Sequence, residues 1–324
     1  MVSVPESRRG QLILVGAVVI AAVIIGLTVL INSVLFTETV GSDSMNSRVG
    51  EASQSDFEVR KAVRSLLLRV NHGERNVTKD RVQARAARNV LLYSRLIGEV
   101  YATARPIGVN ATYSNTSTDL GVRIVQSSDG GMNRSDGTAT WTPLPGGGSP
   151  RDLGWFTMNV NVQNSSKEEE FSIFARETGG STVTLSFNKT ANSTVWINSS
   201  GSVTPGESTV CDPSNGRVLV DIYDGTAFTG DCSFVGFEAI LDGSNALSKI
   251  EFRDGDEQIG QYSMVFNGSL ASPSPTLSKC SAGPSMTDPC WTPVVWTANI
   301  TTHVTGEGLT YSNQYNISIY SRNR

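Results

Sequence analysis

The chain has 324 residues, a formal net charge of −4 and only 17% charged residues. That balance excludes the basic footprint of a nucleic-acid-binding protein. Lysine is scarce: Lys61, Lys79, Lys167, Lys189, Lys249 and Lys279 are the whole set, which suits a salt-adapted or surface protein.

In chain order, the first element is an uncharged apolar run, Gln11 to Phe36, set directly against Arg8-Arg9-Gly10. At about 26 residues it is long enough to cross a bilayer as a helix with some tilt. Two arginines precede it, and Glu38 and Asp43 follow it. The positive-inside bias therefore puts residues 1–10 in the cytoplasm and the bulk of the chain outside. A cleaved secretory signal is disfavoured, because the run is too long and 36–40 offers no small-x-small site. Ala17 and Ala21, then Ala22 and Gly26, are spaced for close approach of membrane helices. A short charged leader, a glycine and a long apolar run resemble the class III leader of archaeal type IV pilin-like proteins. The resemblance implies cleavage by a prepilin-type peptidase between Gly10 and Gln11. Many bacterial pilins carry Glu at the fifth mature position, where this chain has Val15.

Residues 37–54 are small and polar and read as a linker. The segment 55–106 reads as helical. Ser55 and Glu58 form a capping box, followed by Val59, Val63, Leu66, Leu67 and Val70 at helical spacing, with Gly73 as the stop. A second helix begins near Thr78 with Val82, Ala86, Val90, Tyr93, Ile97, Val100 and Ala104 on one face, and Pro106 ends it. Arg81, Arg85, Arg88 and Arg95 decorate it, as a solvated face or an anion-binding one.

From about residue 107 to 324 the period becomes two. In 155–163, Phe156, Met158, Val160 and Val162 share a face. Similar runs occupy 120–126, 170–176, 181–187, 193–197, 216–223, 233–240, 247–253 and 260–267. Asp224-Gly225, Asp242-Gly243 and Asp254-Gly255 punctuate them. The runs around Asp254-Gly255 predict a hairpin. A last hairpin pairs 294–304 with 309–320 across Gly306-Glu307-Gly308. It places Trp296, Ala298 and Ile300 opposite Asn299, and Tyr315, Ile317 and Ile319 opposite Asn316. Residues 127–150 read as a long loop. The fold class expected is α+β: an N-terminal transmembrane helix (11–36), a short helical segment, then a mainly antiparallel β ectodomain, as a sheet or a sandwich.

Four cysteines, Cys211, Cys232, Cys280 and Cys290, lie in the outward portion and predict two disulfides. Three pairings exist; local loop closure favours Cys211–Cys232 and Cys280–Cys290. Their spacing is far from C-x2-C and both histidines are distant, so no metal site is expected. N-x-S/T acceptors stand at Asn76, Asn110, Asn115, Asn133, Asn164, Asn188, Asn192, Asn198, Asn267, Asn299 and Asn316. A set this dense on the outward side predicts a glycosylated surface.

Catalytic chemistry finds little purchase. His72 and His303 are the only histidines. Neither a Gly-x-Ser-x-Gly elbow nor a phosphate-binding glycine loop is present. Asp254-Gly255-Asp256-Glu257 could offer oxygens to calcium, but it lacks the EF-hand ligand order, and a solvated turn explains it more simply. Trp141, Trp155, Trp196, Trp291 and Trp296 could include a sugar-stacking platform. No enzyme activity and no cofactor are expected.

Arg9-Gly10-Gln11-Leu12-Ile13-Leu14-Val15-Gly16, the closing Leu35-Phe36-Thr37-Glu38, the two-helix segment and the Asn-rich strands together resemble the pilin-like, single-span surface proteins of halophilic archaea. That resemblance implies display at the cell membrane with an extracellular ectodomain, and partnership with the prepilin-type peptidase and other pilin-like subunits. It implies a structural or adhesive role as a minor pilin or pseudopilin. The competing expectation is a permanently anchored ligand- or glycan-binding module that does not polymerise.

Overall fold

The computed structural model describes residues 50, 52–73, 78–104, 107–144, 151–165, 170–190, 193–241, 246–268, 277–281, 288–306 and 309–320. Two helices come first, α1 (52–73) and α2 (Lys79–Ala104). Strands follow: β1 (Ile107–Gly131), β2 (Trp141–Leu144), β3 (Leu153–Asn161), β4 (Phe171–Glu177), β5 (Thr182–Lys189), β6 (Val195–Gly201), β7 (Glu207–Cys211), β8 (Arg217–Asp221) and β9 (Thr226–Ala227). After a 3-10 turn at Phe237–Ile240 come β10 (Leu247–Arg253), β11 (Ile259–Asn267), β12 (Ser278–Lys279), β13 (Cys290–Gly306) and β14 (Leu309–Ser318).

The strands form two sheets. The larger runs β12-β13-β1-β11-β3-β8-β9, with β14 also paired to β13; the smaller runs β2-β10-β4-β5-β6-β7. All the strand pairs are antiparallel except β12 with β13. Strand alternation decides what each sheet faces. On β11, Tyr262, Met264 and Phe266 enter one core while Val265 enters another. On β3, Phe156, Met158 and Val160 join the first core and Trp155 packs on the second. The large sheet is thus a central layer buried on both faces: the small sheet covers one, the two helices the other.

The helices dock through the predicted stripe. Val59, Val63 and Leu67 of α1 and Ala86 and Val90 of α2 are fully buried. Burying a side chain of valine or leucine size contributes about 1.5–3 kcal/mol, so this short list is enough to hold a helix pair on a sheet. Thr78 starts α2: its hydroxyl accepts from the Arg81 amide at 3.3 Å.

Several expectations need correcting. Among the described residues the class is not the expected α+β behind a transmembrane helix. Of the described residues, 52% are in strands and 23% in helices, a mainly antiparallel β fold. No helix among them is long and apolar enough to cross a membrane: α2 has 26 residues, but its arginines and one-sided apolar stripe fit a sheet surface. The leader 1–10, the run 11–36 and linker residues 37–49 lie outside the described residues. Helix α1 already includes 52–54, so Ser55 is not its cap. Ser55 is buried, because Ala52 extends the apolar stripe one turn upstream.

The Asp254-Gly255 turn does not close a hairpin. β10 belongs to the small sheet and β11 to the large one, so this connection is a corner between layers. Phe252 meets Tyr262 edge to face across the core, ring centroids 5.2 Å apart, where hairpin strands would lie side by side. Gly255 is needed there, since a Cβ would collide with the Met132 backbone. The 233–240 segment is not a strand; Ser233 makes one bridge to Thr226. Phe237 and Ile240, three apart and buried, turn inward instead. The 127–150 loop is interrupted: β1 continues to Gly131, and β2 adds a strand at Trp141. The β13–β14 hairpin has Ala298 opposite Ile317 and Asn299 opposite Asn316.

Candidate functional site

Two surfaces carry the chemistry outside the cores: the seam where α1 meets the large sheet, and the outer side of the helix pair. The seam exists because β13 is longer than β12 and β14, the two strands that share its outer edge. Its outer edge pairs with β12 at 290–291 and with β14 from 297 onward, leaving Val295 between them. Asn71, on the last turn of α1, fills the gap. Its Nδ2 donates to the Val295 carbonyl at 2.7 Å, and its Oδ1 accepts the Val295 amide at 2.9 Å. An asparagine side chain thus completes an edge as an extra strand residue would. A second open stretch, along the first half of β1, is covered by α2. The Ser94 hydroxyl accepts the Ala111 amide at 2.8 Å and donates to Asn110 Oδ1 at 2.7 Å. Unpaired edges invite unwanted strand addition, and here helix side chains close them.

His72 and Arg123 complete the seam. Arg123 is buried; its Nε donates to Ser263 Oγ at 2.9 Å, and Nη1 reaches the Asn71 and His72 carbonyls at 3.4 Å. The His72 ring packs edge-on to Trp155 at 5.5 Å and lies 3.4 Å from the Tyr320 hydroxyl through Nε2. Burial, helped by the Arg123 charge, lowers its pKa from 6.5 to about 4. Burial likewise raises that of Tyr320. This is a neutral, structural histidine, with no carboxylate among these partners to make it a catalytic base.

The outer side of the helices is basic. The described helices carry nine Lys or Arg against Asp56, Glu58, Asp80 and Glu99. Arg60 pairs with Asp56 at 2.7 Å and also stacks over the Tyr315 ring, 4.1 Å from its centroid. Arg95 lies 3.7 Å from Glu99. Between the helices, Arg69, Arg85, Arg88 and Asn89 line a groove of about 450 Å³ with Leu66 and Leu92. Beside it Leu92, Leu96 and Val100 are 49%, 62% and 63% exposed. Val100 was expected to face the core; it stands clear of it. Leu92 and Leu96 are off the buried stripe, among arginines, and the sequence signal for this surface was that misplacement.

The other predicted residues are distributed. Gly10, Gln11, Asn76 and Asn192 lie outside the described residues. Asn110, Asn115, Asn164 and Asn316 are exposed, while Asn133, Asn188, Asn198 and Asn267 are half-buried. Asn299 is buried. Its Nδ2, the atom a glycan would occupy, donates to Asn316 Oδ1 at 2.8 Å, and its Oδ1 accepts from Gln314. Cys211 bonds to Cys232 and Cys280 to Cys290. Asp254 to Glu257 form the inter-sheet corner, and among the described residues no group of three or more His, Cys, Asp or Glu is placed to hold a metal. His303 is exposed on β13. Trp141 and Trp296 are core residues, Trp155 packs on His72, and Trp291 is partly buried. Trp196 alone of the five is exposed, at 42%, directly across from Asn188 and Val210 on the outer face of the small sheet.

Comparison with known proteins adds one similarity. Residues 6–121 match the model of a family of unknown function (DUF7261). The match spans less than half of the chain: the end of the leader, the apolar run, both helices and the first part of β1. No curated protein matches, and no solved structure does.

Proposed function

We propose that this chain is a non-enzymatic cell-surface protein of pilin-like type, a minor pilin or pseudopilin with a structural or adhesive role. Gln11–Phe36 attaches it to the cell membrane, and the β ectodomain stands outside, glycosylated. The observation that carries this reading is the sequence Arg8-Arg9-Gly10-Gln11 set against an uncharged run of membrane-spanning length. Two disulfides among the four cysteines fit an oxidising compartment. The helix pair, standing in the chain between the apolar run and the sheets, fits a pilin-like layout. Its partners are the prepilin-type peptidase and other pilin-like subunits.

A second reading has its own observation. Trp196 is exposed on the outer face of the small sheet, across from Asn188 and Val210, where an aromatic ring can stack on a sugar. It favours a permanently anchored glycan-binding module that does not polymerise. Intact mass and terminal sequencing of the protein recovered from membranes separate the two. A start at Gln11 supports pilin-type processing; a start at Met1 or Val2 sinks it.

A further inference from the structure

Charge is segregated along this chain. Residues 1–106 hold 14 Lys or Arg against 9 Asp or Glu, and residues 107–324 hold 12 against 21. In the fold the segregation becomes two faces at opposite ends of the large sheet. At one end the helices cover β14, β13 and the first half of β1, presenting the arginine groove beside exposed Leu92 and Leu96. At the other end lie β8 and β9 with the neighbouring edge strand β7 of the small sheet, tied together by Cys211–Cys232.

That second end is acidic. Between Glu207 and Leu241 stand six acidic residues and one basic residue, Arg217. Arg217 is engaged by Asp129, with nitrogen–oxygen distances of 2.7 and 2.8 Å. Glu207, Asp212, Asp231 and Glu238 are exposed. Apolar side chains accompany them as they do on the helices: Val210 is 53% and Phe228 58% exposed. Each end therefore carries charge mainly of one sign around bare apolar groups.

We infer that the outer face of α1 and α2 docks onto the acidic β7–β9 end of a second copy of this chain. The two faces differ and stand at opposite ends of the large sheet, so the contact is heterologous and joins molecules head to tail. Opposite potentials orient the encounter, and the exposed leucines, Val210 and Phe228 supply the apolar contact. The inference rests on the reading of the chain as a subunit that associates with its own kind.

The test uses the full chain in detergent micelles, by sedimentation velocity at low and high salt. The variants are Arg69→Glu with Arg88→Glu on the helices, and Glu207→Lys with Asp212→Lys on the β edge; all four side chains are exposed. The wild type should self-associate, more weakly as salt rises. Each paired reversal alone should weaken association about tenfold, the sum expected for a few exposed charge contacts. Mixing the two variants should restore association, because each brings one intact face. That restoration is specific to a contact between the helical face and the β7–β9 end, and unchanged circular dichroism spectra exclude unfolding as the cause of any loss. Self-association that ignores both reversals, or is not restored on mixing, overturns the inference. So does binding to vesicles of anionic lipid that the arginine reversal abolishes and the Glu207/Asp212 reversal leaves intact, since the helical face would then belong to a bilayer. A terminus at Met1 or Val2 with association restored on mixing sinks the pilin reading and leaves this interface standing. A terminus at Gln11 with charge-independent association does the reverse.

Discussion

The two cores of this protein are held by different means. Between the sheets, Phe156, Phe171, Phe187, Phe237 and Phe252 are buried at 1% exposure or less, and two disulfides pin strands at the margins. Between helices and sheet, valines and alanines do the packing, and single polar side chains tie it down: Asn71 to β13, Ser94 to β1, Arg123 to the end of α1. Apolar packing is forgiving, because volume can be redistributed. A buried polar tie is not, because losing one partner strands the other. The sandwich should therefore be the more stable unit, and the helix layer the one that opens first and can be loosened by a single atom group.

The sharpest way to break the comparison is Phe252→Ala, which removes a ring touching Trp141, Phe156, Phe171 and Tyr262. It should cost about 3–5 kcal/mol, read as a loss in the denaturant midpoint of the whole molecule. Next is Asn71→Ala, which leaves the Val295 amide and carbonyl unpaired. A loss of about 2–4 kcal/mol follows from two stranded buried groups. Hydrogen exchange should quicken in α1 and at Val295 while β4 to β6 stay protected. Equal loosening of both regions would show that the layers unfold as one.

Acid should act on the same seam. His72 titrates at about 4 in the fold and near 6.5 when unfolded. The unfolded chain therefore binds the proton first, and stability falls as pH drops through that window. The full loss, reached below about pH 4, is about 3 kcal/mol. His72→Phe should flatten this limb of the pH–stability curve; an unchanged limb would remove His72 from the account. The smallest effect is Ser94→Ala, about 1 kcal/mol for one hydrogen bond to a strand edge, visible as faster exchange of the Ala111 amide.

Much of this was legible from local pattern, and the misses share a cause. The α1 and α2 stripes, the alternation in 155–163 and the β13–β14 register could be read because burial follows side-chain period. Asn71 could not be read as a strand surrogate: it precedes His72-Gly73 and looks like part of a turn. The β10–β11 corner looked like a hairpin because Asp254-Gly255 serves either purpose. The basic helical face was half legible, since Arg81, Arg85, Arg88 and Arg95 were visible while the groove that Arg85 and Arg88 share with Arg69 needs both helices in place.

By itself, the amino-acid sequence determined the apolar run against its arginines, the two helices and most of their buried positions, most of the strands and the faces they bury, and the position of the acceptors and cysteines C-terminal to that run. Each of these follows from residues within one or two turns of one another. Only the tertiary structure decided which strands share a sheet, that the large sheet is buried on both faces, that Asn299 is tied to Asn316 and Gln314, and that opposite charges stand at opposite ends. Backbone hydrogen bonds are the same for every residue except proline, so a strand's sequence says which face it buries but not which neighbour it takes.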